Sequence, residues 1–190
     1  DKGLKGLVPN NNGMVIGKSG VTIAMGYDLG SKTLNELEAM FPKNPDIVNK
    51  LRPYLGLKGK AALDAVTTTP FTITENERET INKFVTKKTL KDIESAWIKT
   101  TKNNKNAPTK SFKELPKEVA TVIFSVAWQH GIDATKKFNF WTQVTTGKWD
   151  DAIKNLRDWD GTGKDSQTQP RRDKEADILE KWLNKTSKKA

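Results

Sequence analysis

One short segment of this chain places a hydroxyl group and a carboxylate at a spacing that would serve acid–base chemistry. The segment reads "GVTIAMGYDLG", and Thr22 and Asp28 lie six residues apart within it. Side chains alternate along a strand, so both groups would lie on one face of a regular strand. Thr22 would then hold a water molecule, and Asp28 would either activate that water or anchor its partner. Asp28 is equally interpretable as the cap of a glycine-rich loop, and the sequence leaves both alternatives open.

Glycoside hydrolysis is the reaction that such a pair would suit. It needs a general acid with a raised pKa and a second group that acts as nucleophile, base or charge stabiliser. The chain has one histidine, His130, and no cysteine. Thiolate metal sites and disulfides are therefore excluded, and we expect no metal and no cofactor. A Ser-His-Asp triad would depend on that one histidine at a helix end, where a structural role is more common.

The composition is that of a basic globular protein. The chain has 190 residues, with 33 basic and 23 acidic side chains and a net charge of +10. This charge favours a polyanionic partner, such as nucleic acid, an anionic membrane or an acidic cell-wall polymer, or reflects only a lysine-rich surface. Aromatic residues do not interleave with the basic ones, so we expect no nucleic acid binding. No apolar run approaches the roughly 20 residues of a membrane span.

The pattern of turn and strand residues predicts β-structure near the start of the chain and helices after it. Residues 4–29 read as short strands, with Asn12-Gly13 as the candidate turn of a hairpin. Helical periodicity follows, and the most apolar helix carries Val119, Val122, Ile123, Val126 and Ala127 at core-facing spacing. The sequence therefore predicts an α+β, mostly helical protein.

Three helix starts are marked by capping residues. Thr33 precedes a short helix, and Thr74 with Glu77 forms a capping box before the longest helical segment. Ser111 with Glu114 forms a second box, which predicts the start of the most apolar helix. The long segment between the two boxes would bridge two lobes.

Three blocks of the chain, in order, resemble the phage-type lysozymes, and most closely their pesticin-like toxin domains. The blocks are "GLVP" with "SGVTIAMGYDLGSKT", then "EVATVIFSVAWQHG", then "FWTQVTTGKWDDAIKNLRDWD" with "PRRDKEADIL". The resemblance implies one lysozyme-like domain over residues 1–190 with a two-lobed fold. Its parts would be a β-rich lobe at about 1–75, a bridging helix at about 74–101 and a helical lobe at about 111–187.

By this resemblance the chain is a muramidase, which cleaves the bond between N-acetylmuramic acid and N-acetylglucosamine in peptidoglycan. Thr22 and Asp28 correspond to the catalytic threonine and aspartate of the family's hairpin. Gln129 and His130 fall near the end of the helix that lines the family's cleft, so we expect them to contact substrate.

The family's proton donor, a glutamate followed by glycine, has no matching residue in this sequence. Lys2-Gly3 stands in that place, and the first glutamate of the chain is Glu36. Either Lys2 replaces the acid, or the glutamate lies upstream of Asp1. Lysine, with a pKa of about 10.4, is a poor proton donor at neutral pH. Losing a general acid lowers the rate by about 10²–10⁴, so Lys2 in that role predicts a nearly inactive enzyme that still binds glycan.

Two functions follow from the resemblance. The first is the toxic domain of a delivered antibacterial protein, or an endolysin, which acts as a monomer on peptidoglycan strands in the periplasm or cell wall. Residues 1–10 lack the apolar region of a signal peptide, so we expect delivery by another module. A cognate immunity protein is a candidate partner. The second function is a catalytically degenerate lysozyme fold that binds peptidoglycan without cleaving it.

Overall fold

The computed structural model of the chain forms two compact units, Asp1–Lys87 and Lys88–Ala190. Short strands lie in the first unit, where helices account for about half of the described residues, and helices account for most of the second unit. The expected α+β, mostly helical class is confirmed. The structure describes four segments, which are residues 3–11, 14–15, 17–159 and 168–188.

The strands of the first unit are short and pair as two antiparallel hairpins. Their bounds are β1 (Asn10–Asn11) with β2 (Met14–Val15), and β3 (Thr22–Ile23) with β4 (Tyr27–Asp28). Asn11 pairs with Met14, and the predicted turn, Asn12-Gly13, falls between them, outside the described residues. The short strands predicted within 4–29 are present but shorter than the predicted runs, at two residues each. Gly17 and Gly26 adopt positive φ values of 61° and 90°, which interrupt extended backbone.

Helices complete the core of the first unit. They are α1 (Leu34–Met40), α2 (Pro45–Leu51), α3 (Gly59–Thr68) and the start of α4 (Glu75–Thr101). The predicted cap at Thr33 is confirmed, because its hydroxyl accepts a hydrogen bond from the Glu36 amide at 3.3 Å. The box of Thr74 and Glu77 is also confirmed, with reciprocal bonds of 2.7 and 3.2 Å. The core includes Ile23 and Leu37, which are fully buried.

The second unit is helical in its described part. Its helices are the end of α4, α5 (Lys117–His130), α6 (Ile132–Thr135), α7 (Asn139–Thr145), α8 (Trp149–Arg157) and α9 (Gln169–Ser187). The predicted core stripe of α5 is confirmed, since Val119, Val122, Ile123, Val126 and Ala127 are all buried. The 3.6-residue period of an amphipathic helix is thus visible in both sequence and structure.

The second capping box forms, but at a different element from the predicted one. Ser111 and Glu114 cap a single 3-10 turn, Phe112–Glu114, and α5 begins only at Lys117. Pro116 explains the difference, because a proline disfavours helical backbone at the preceding residue, here Leu115. The box therefore shapes the approach to α5 and does not start it.

The longest described helix, α4, passes from the first unit into the second, with the boundary after Lys87. Whether it bridges two lobes of one domain stays a prediction. Five of its 27 residues are lysine, so it is far from apolar. Across the described segments, no helix combines the length and hydropathy needed to cross a bilayer.

Candidate active site

The hairpin formed by β3 and β4 brings Thr22 and Asp28 together. The two residues are cross-strand partners, and Ile23 pairs with Tyr27. Directly opposed residues on an antiparallel pair project to the same face, so the two polar side chains share one face. The assumption of one continuous strand is wrong, because the chain reverses at Ala24–Gly26. Strand register, and not alternation over six residues, brings the two side chains together.

The tip of this hairpin is fixed by backbone contacts. The Ala24 amide donates to the Gly3 carbonyl at 2.8 Å, and the Met25 amide donates to Asn82 Oδ1 on α4 at 3.1 Å. Ala24 has a φ of 51°, in the left-handed region that alanine rarely adopts. Strained backbone of this kind persists only where surrounding contacts hold it. The hairpin is therefore a rigid platform for the two polar side chains.

The Asp28 carboxylate is bound by the backbone of two glycines. The Gly30 amide donates to Oδ1 at 2.7 Å, and the Gly20 amide donates to Oδ1 and Oδ2 at 3.1 and 3.2 Å. Asp28 is thereby the N-cap of a 3-10 turn, Leu29–Ser31. The side chain is half-buried and keeps part of its surface in solvent. These contacts give Asp28 the loop-capping role, and its catalytic role stays a prediction.

Close approach of the backbone explains why glycine occupies positions 20 and 30. A methyl group on Gly20 would lie 2.3 Å from Asp28 Oδ1 and 2.5 Å from the Gly30 nitrogen. One on Gly30 would lie 2.6 Å from the Leu57 carbonyl oxygen. The Thr22 hydroxyl also bonds to this loop, donating to the Gly20 carbonyl at 3.3 Å. Glycine at positions 20 and 30 thus permits the close approach of backbone that binds the Asp28 carboxylate.

We expect Gly20→Ala to lower the free energy of unfolding by about 2–3 kcal/mol, because the methyl group displaces the Asp28 carboxylate from its donors. Urea denaturation measures this change. Gly26→Ala is the matched control, since open space surrounds that position and only its φ of 90° is strained. It should lower the free energy by about 1 kcal/mol. Equal losses in the two variants would contradict the close-packing explanation.

Glu36 lies toward the opposite face of the hairpin. Burial, and then the negative charge of Glu36, raise the pKa of Tyr27 well above its usual range. Tyr27 precedes Asp28 on β4, so its side chain projects away from the Thr22–Asp28 face. Glu36 also lies 3.8 Å from the Lys32 amine, which sits over the Tyr27 ring. The first glutamate of the chain is therefore not placed to protonate a substrate beside Asp28.

Alkaline pH should destabilise the protein through its buried tyrosines. An unfolded tyrosine ionises near pH 10, whereas burial raises the pKa of both Tyr27 and Tyr54 in the folded state. The stability that this difference contributes is complete below about pH 10 and is lost as the pH rises toward the folded-state pKa. We expect Tyr27→Phe to weaken the fall in unfolding free energy above about pH 10. Urea titrations at several pH values test this, and an unchanged slope would contradict it.

Gln129 lies in the last turn of α5 in the second unit and is bound to a buried arginine. Its amide oxygen accepts a hydrogen bond from the Arg172 guanidinium, which is fully buried. Arg172 also pairs with Glu175, and that carboxylate accepts a hydrogen bond from the Ser125 hydroxyl. Burial raises the pKa of Glu175, against the opposite effects of Ser125, Arg172 and Arg171, whose guanidinium lies 3.3 Å from the same carboxylate. Burial also lowers the pKa of Arg172. A substrate contact by Gln129 stays a prediction.

His130 belongs to an aromatic cluster in the same unit. Its ring stacks on Trp159, with centroids 5.7 Å apart and planes 12° apart, and meets the edge of Phe138 at 5.1 Å. The Arg172 guanidinium lies 4.7 Å from the centre of the Trp159 ring. Gln129 therefore contacts the buried Arg172–Glu175 pair directly, and His130 contacts it through Trp159. Arg172, Glu175 and Trp159 were not predicted from the sequence. The signal for Arg172 and Glu175 is an i, i+3 charge pair on a helix, which is common on surfaces.

Lys2 lies outside the described residues. Gly3, beside it in sequence, contacts the hairpin tip through its carbonyl. Both explanations for the missing acid, its replacement by Lys2 and a glutamate upstream of Asp1, therefore stay predictions.

A family model matches residues 2–150, under the description pesticin, bacterial toxin homologue of phage lysozyme, C-terminal. The chain belongs to the pesticin family. The matched residues include the β3–β4 hairpin and α5, and they end before α9. A comparison with curated proteins gave no match. Membership confirms the lysozyme-like fold and supports, in general terms, a muramidase-like function directed at peptidoglycan.

Proposed function

We propose that the chain is a peptidoglycan-cleaving muramidase domain, acting on the β-1,4 bond between N-acetylmuramic acid and N-acetylglucosamine. The observation that carries the proposal is the pairing of Thr22 with Asp28 on one face of a rigid hairpin in a phage-lysozyme homologue. In this proposal Asp28 accepts a proton from the attacking water or stabilises positive charge on the sugar, and Thr22 orients the water. Both roles belong to the second group that glycoside hydrolysis requires.

The amide donors that bind Asp28 support the proposed role. The Gly20 and Gly30 N–H groups donate to the carboxylate oxygens, and hydrogen bonds of this kind are shorter and more directional than neutral ones. An ionised carboxylate is the form that accepts a proton or faces an oxocarbenium ion. The same contacts fix the side chain in position, which lowers the reorganisation needed at the moment of reaction.

The proton donor is the group that the described residues leave unassigned. Residues 1–35 contain no glutamate, and Glu36 lies near Tyr27, whose side chain projects to the other face of β4 from Asp28. This observation favours a second candidate function, a lysozyme fold that binds peptidoglycan and does not cleave it. The two candidates differ in one measurable property, the release of glycan fragments.

Purified, insoluble peptidoglycan tests the proposal. The protein is incubated with it, the soluble fraction is analysed by mass spectrometry for reducing N-acetylmuramic acid ends, and pelleted protein is quantified. Fragments with such ends support the muramidase, and pelleted protein without fragments supports the binding module. Cleavage at amide bonds, or neither binding nor fragments, would overturn both.

A single substitution tests whether Lys2 stands at the position of the missing proton donor. If Lys2 stands where the proton donor belongs, Lys2→Glu should raise the rate of fragment release by about 10²-fold or more. Lys5→Glu is the matched control for charge, since it alters the same terminal segment three residues further on. Equal rates in both variants would place the donor elsewhere.

We further propose a setting for this activity. The domain acts as a monomer in the periplasm or cell wall of a target bacterium, after delivery by another module, and a cognate immunity protein protects the producer. The family description of a bacterial toxin supports this setting. Expression directed to the periplasm should then lyse cells, whereas expression in the cytoplasm should not.

A further inference from the structure

A groove of about 350 Å³ lies on the second unit between α4 and α6, the short helix that follows Gln129 and His130 along the chain. One wall is a single face of α4, formed by Asp92, Ser95, Ala96 and Lys99 at i, i+3, i+4 and i+7 spacing. The other wall is α6 with the residue that follows it, formed by Ile132, Asp133 and Lys136. A volume of this size is typical of sites for small molecules and short peptides.

The two apolar residues of the lining, one from each wall, are here called the floor of the groove. Ala96 and Ile132 are partly buried and pack against the hydrophobic core of the second unit. Because these side chains are held by the core beneath them, the floor is preformed. It offers contact to small apolar groups such as methyls.

The walls carry charges of both signs. Asp92 pairs with Lys88 at 3.0 Å, and Asp133 pairs with Lys136 at 2.8 Å. Among the described residues, Lys99 has no acidic partner within salt-bridge distance. The groove therefore presents one free cation to a ligand, with carboxylates nearby that are already partly neutralised.

We propose that this groove binds the stem peptide of peptidoglycan, with Lys99 pairing a peptide carboxylate and the alanine methyls lying on Ala96 and Ile132. The proposal rests on the muramidase or binding function proposed above. Stem peptides combine carboxylates, an ammonium group and alanine side chains, which matches a mixed-charge groove with an apolar floor. A nucleic acid or another phosphate polyanion would meet Asp92 and Asp133 as repulsive charges. Neutral glycan would leave Lys99 without a partner.

Titration with a free stem peptide tests the inference directly. The probe is the tetrapeptide L-Ala-γ-D-Glu-meso-diaminopimelate-D-Ala, and its dissociation constant is measured by calorimetry and by amide chemical shifts. Lys99→Met should raise that constant about tenfold, since it removes one charge-assisted hydrogen bond. Lys91→Met is the matched control, because Lys91 is exposed on the same helix and does not line the groove. It should change the constant by less than about twofold.

A second variant blocks the groove without changing its charge. Ser95 is exposed on the α4 wall, so Ser95→Trp fills the space while leaving the core intact. It should weaken peptide binding as much as Lys99→Met does. Equal binding of a probe with all carboxylates amidated, or wild-type affinity in both variants, would overturn the inference.

The inference and the proposed function fail in different ways. A protein that releases glycan fragments and does not bind the tetrapeptide would overturn the inference and leave the muramidase standing. A protein that binds the tetrapeptide through Lys99 but neither cleaves nor pellets with peptidoglycan would overturn the proposed function. Binding confined to the intact polymer, unaffected by Lys99→Met, would assign recognition to another surface and also overturn the inference.

Discussion

Asp28→Ala is expected to lower the free energy of unfolding by about 2 kcal/mol, because it leaves the Gly20 and Gly30 amides without their shared acceptor. Asp28→Asn should lower it by no more than about 1 kcal/mol, since the Asn oxygen can replace Oδ1, which accepts from both amides. Thermal and urea denaturation of the two variants provide the comparison.

The same pair of variants separates capping from catalysis. In any form of the protein that releases glycan fragments, both variants should lose activity by about 10²-fold or more if Asp28 acts on the reacting bond. If Asp28 only caps the loop, the stable Asp28→Asn variant should keep near-normal activity at low temperature. That result would remove Asp28 from the proposed mechanism and leave its structural role.

Arg172→Met should be among the most destabilising single substitutions in the second unit, lowering the free energy of unfolding by about 3–5 kcal/mol. The side chain is fully buried, and its removal leaves Glu175 as a buried charge that has lost its deepest partner. It also frees the amide oxygen of Gln129. Chemical denaturation followed by tryptophan fluorescence measures the loss, since all six tryptophans of the chain lie in the second unit.

Two further variants distinguish a buried-charge effect from general loss of packing. Arg157 pairs with Asp177 and Glu180 nearer the surface, so Arg157→Met should change the free energy of unfolding by no more than about 1 kcal/mol. The double variant Arg172→Met with Glu175→Leu should recover part of the loss, because it removes both charges from the interior. A double variant less stable than Arg172→Met alone would contradict this account.

Local patterns predicted the helices well, because their causes are local. The α5 stripe and the Thr74–Glu77 box depend on residues three and four apart, and both appear in the structure as expected. Ser111 and Glu114 also bond as expected. Their effect on helix α5 was misjudged because Pro116 acts between the box and the helix.

Tertiary partners could not be predicted in the same way. The proximity of Thr22 and Asp28 was expected from strand alternation, whereas it arises from a hairpin whose turn contains an alanine at positive φ. Nothing in the sequence marks Ala24 for that conformation. Arg172 and Glu175 resemble a surface ion pair in sequence, and the packing of α9 against α5 and α8 takes them out of water.

The Asp28 loop also has a consequence for hydrogen exchange. Loop amides usually exchange rapidly, since few stable acceptors hold them. Here the Gly20 and Gly30 amides both donate to the Asp28 carboxylate, so one local opening of this loop exposes both amides to solvent. Their protection factors should therefore be nearly equal and should disappear together in Asp28→Ala. The Leu29 amide, bonded to the Val21 carbonyl at 2.8 Å, should keep its protection in that variant.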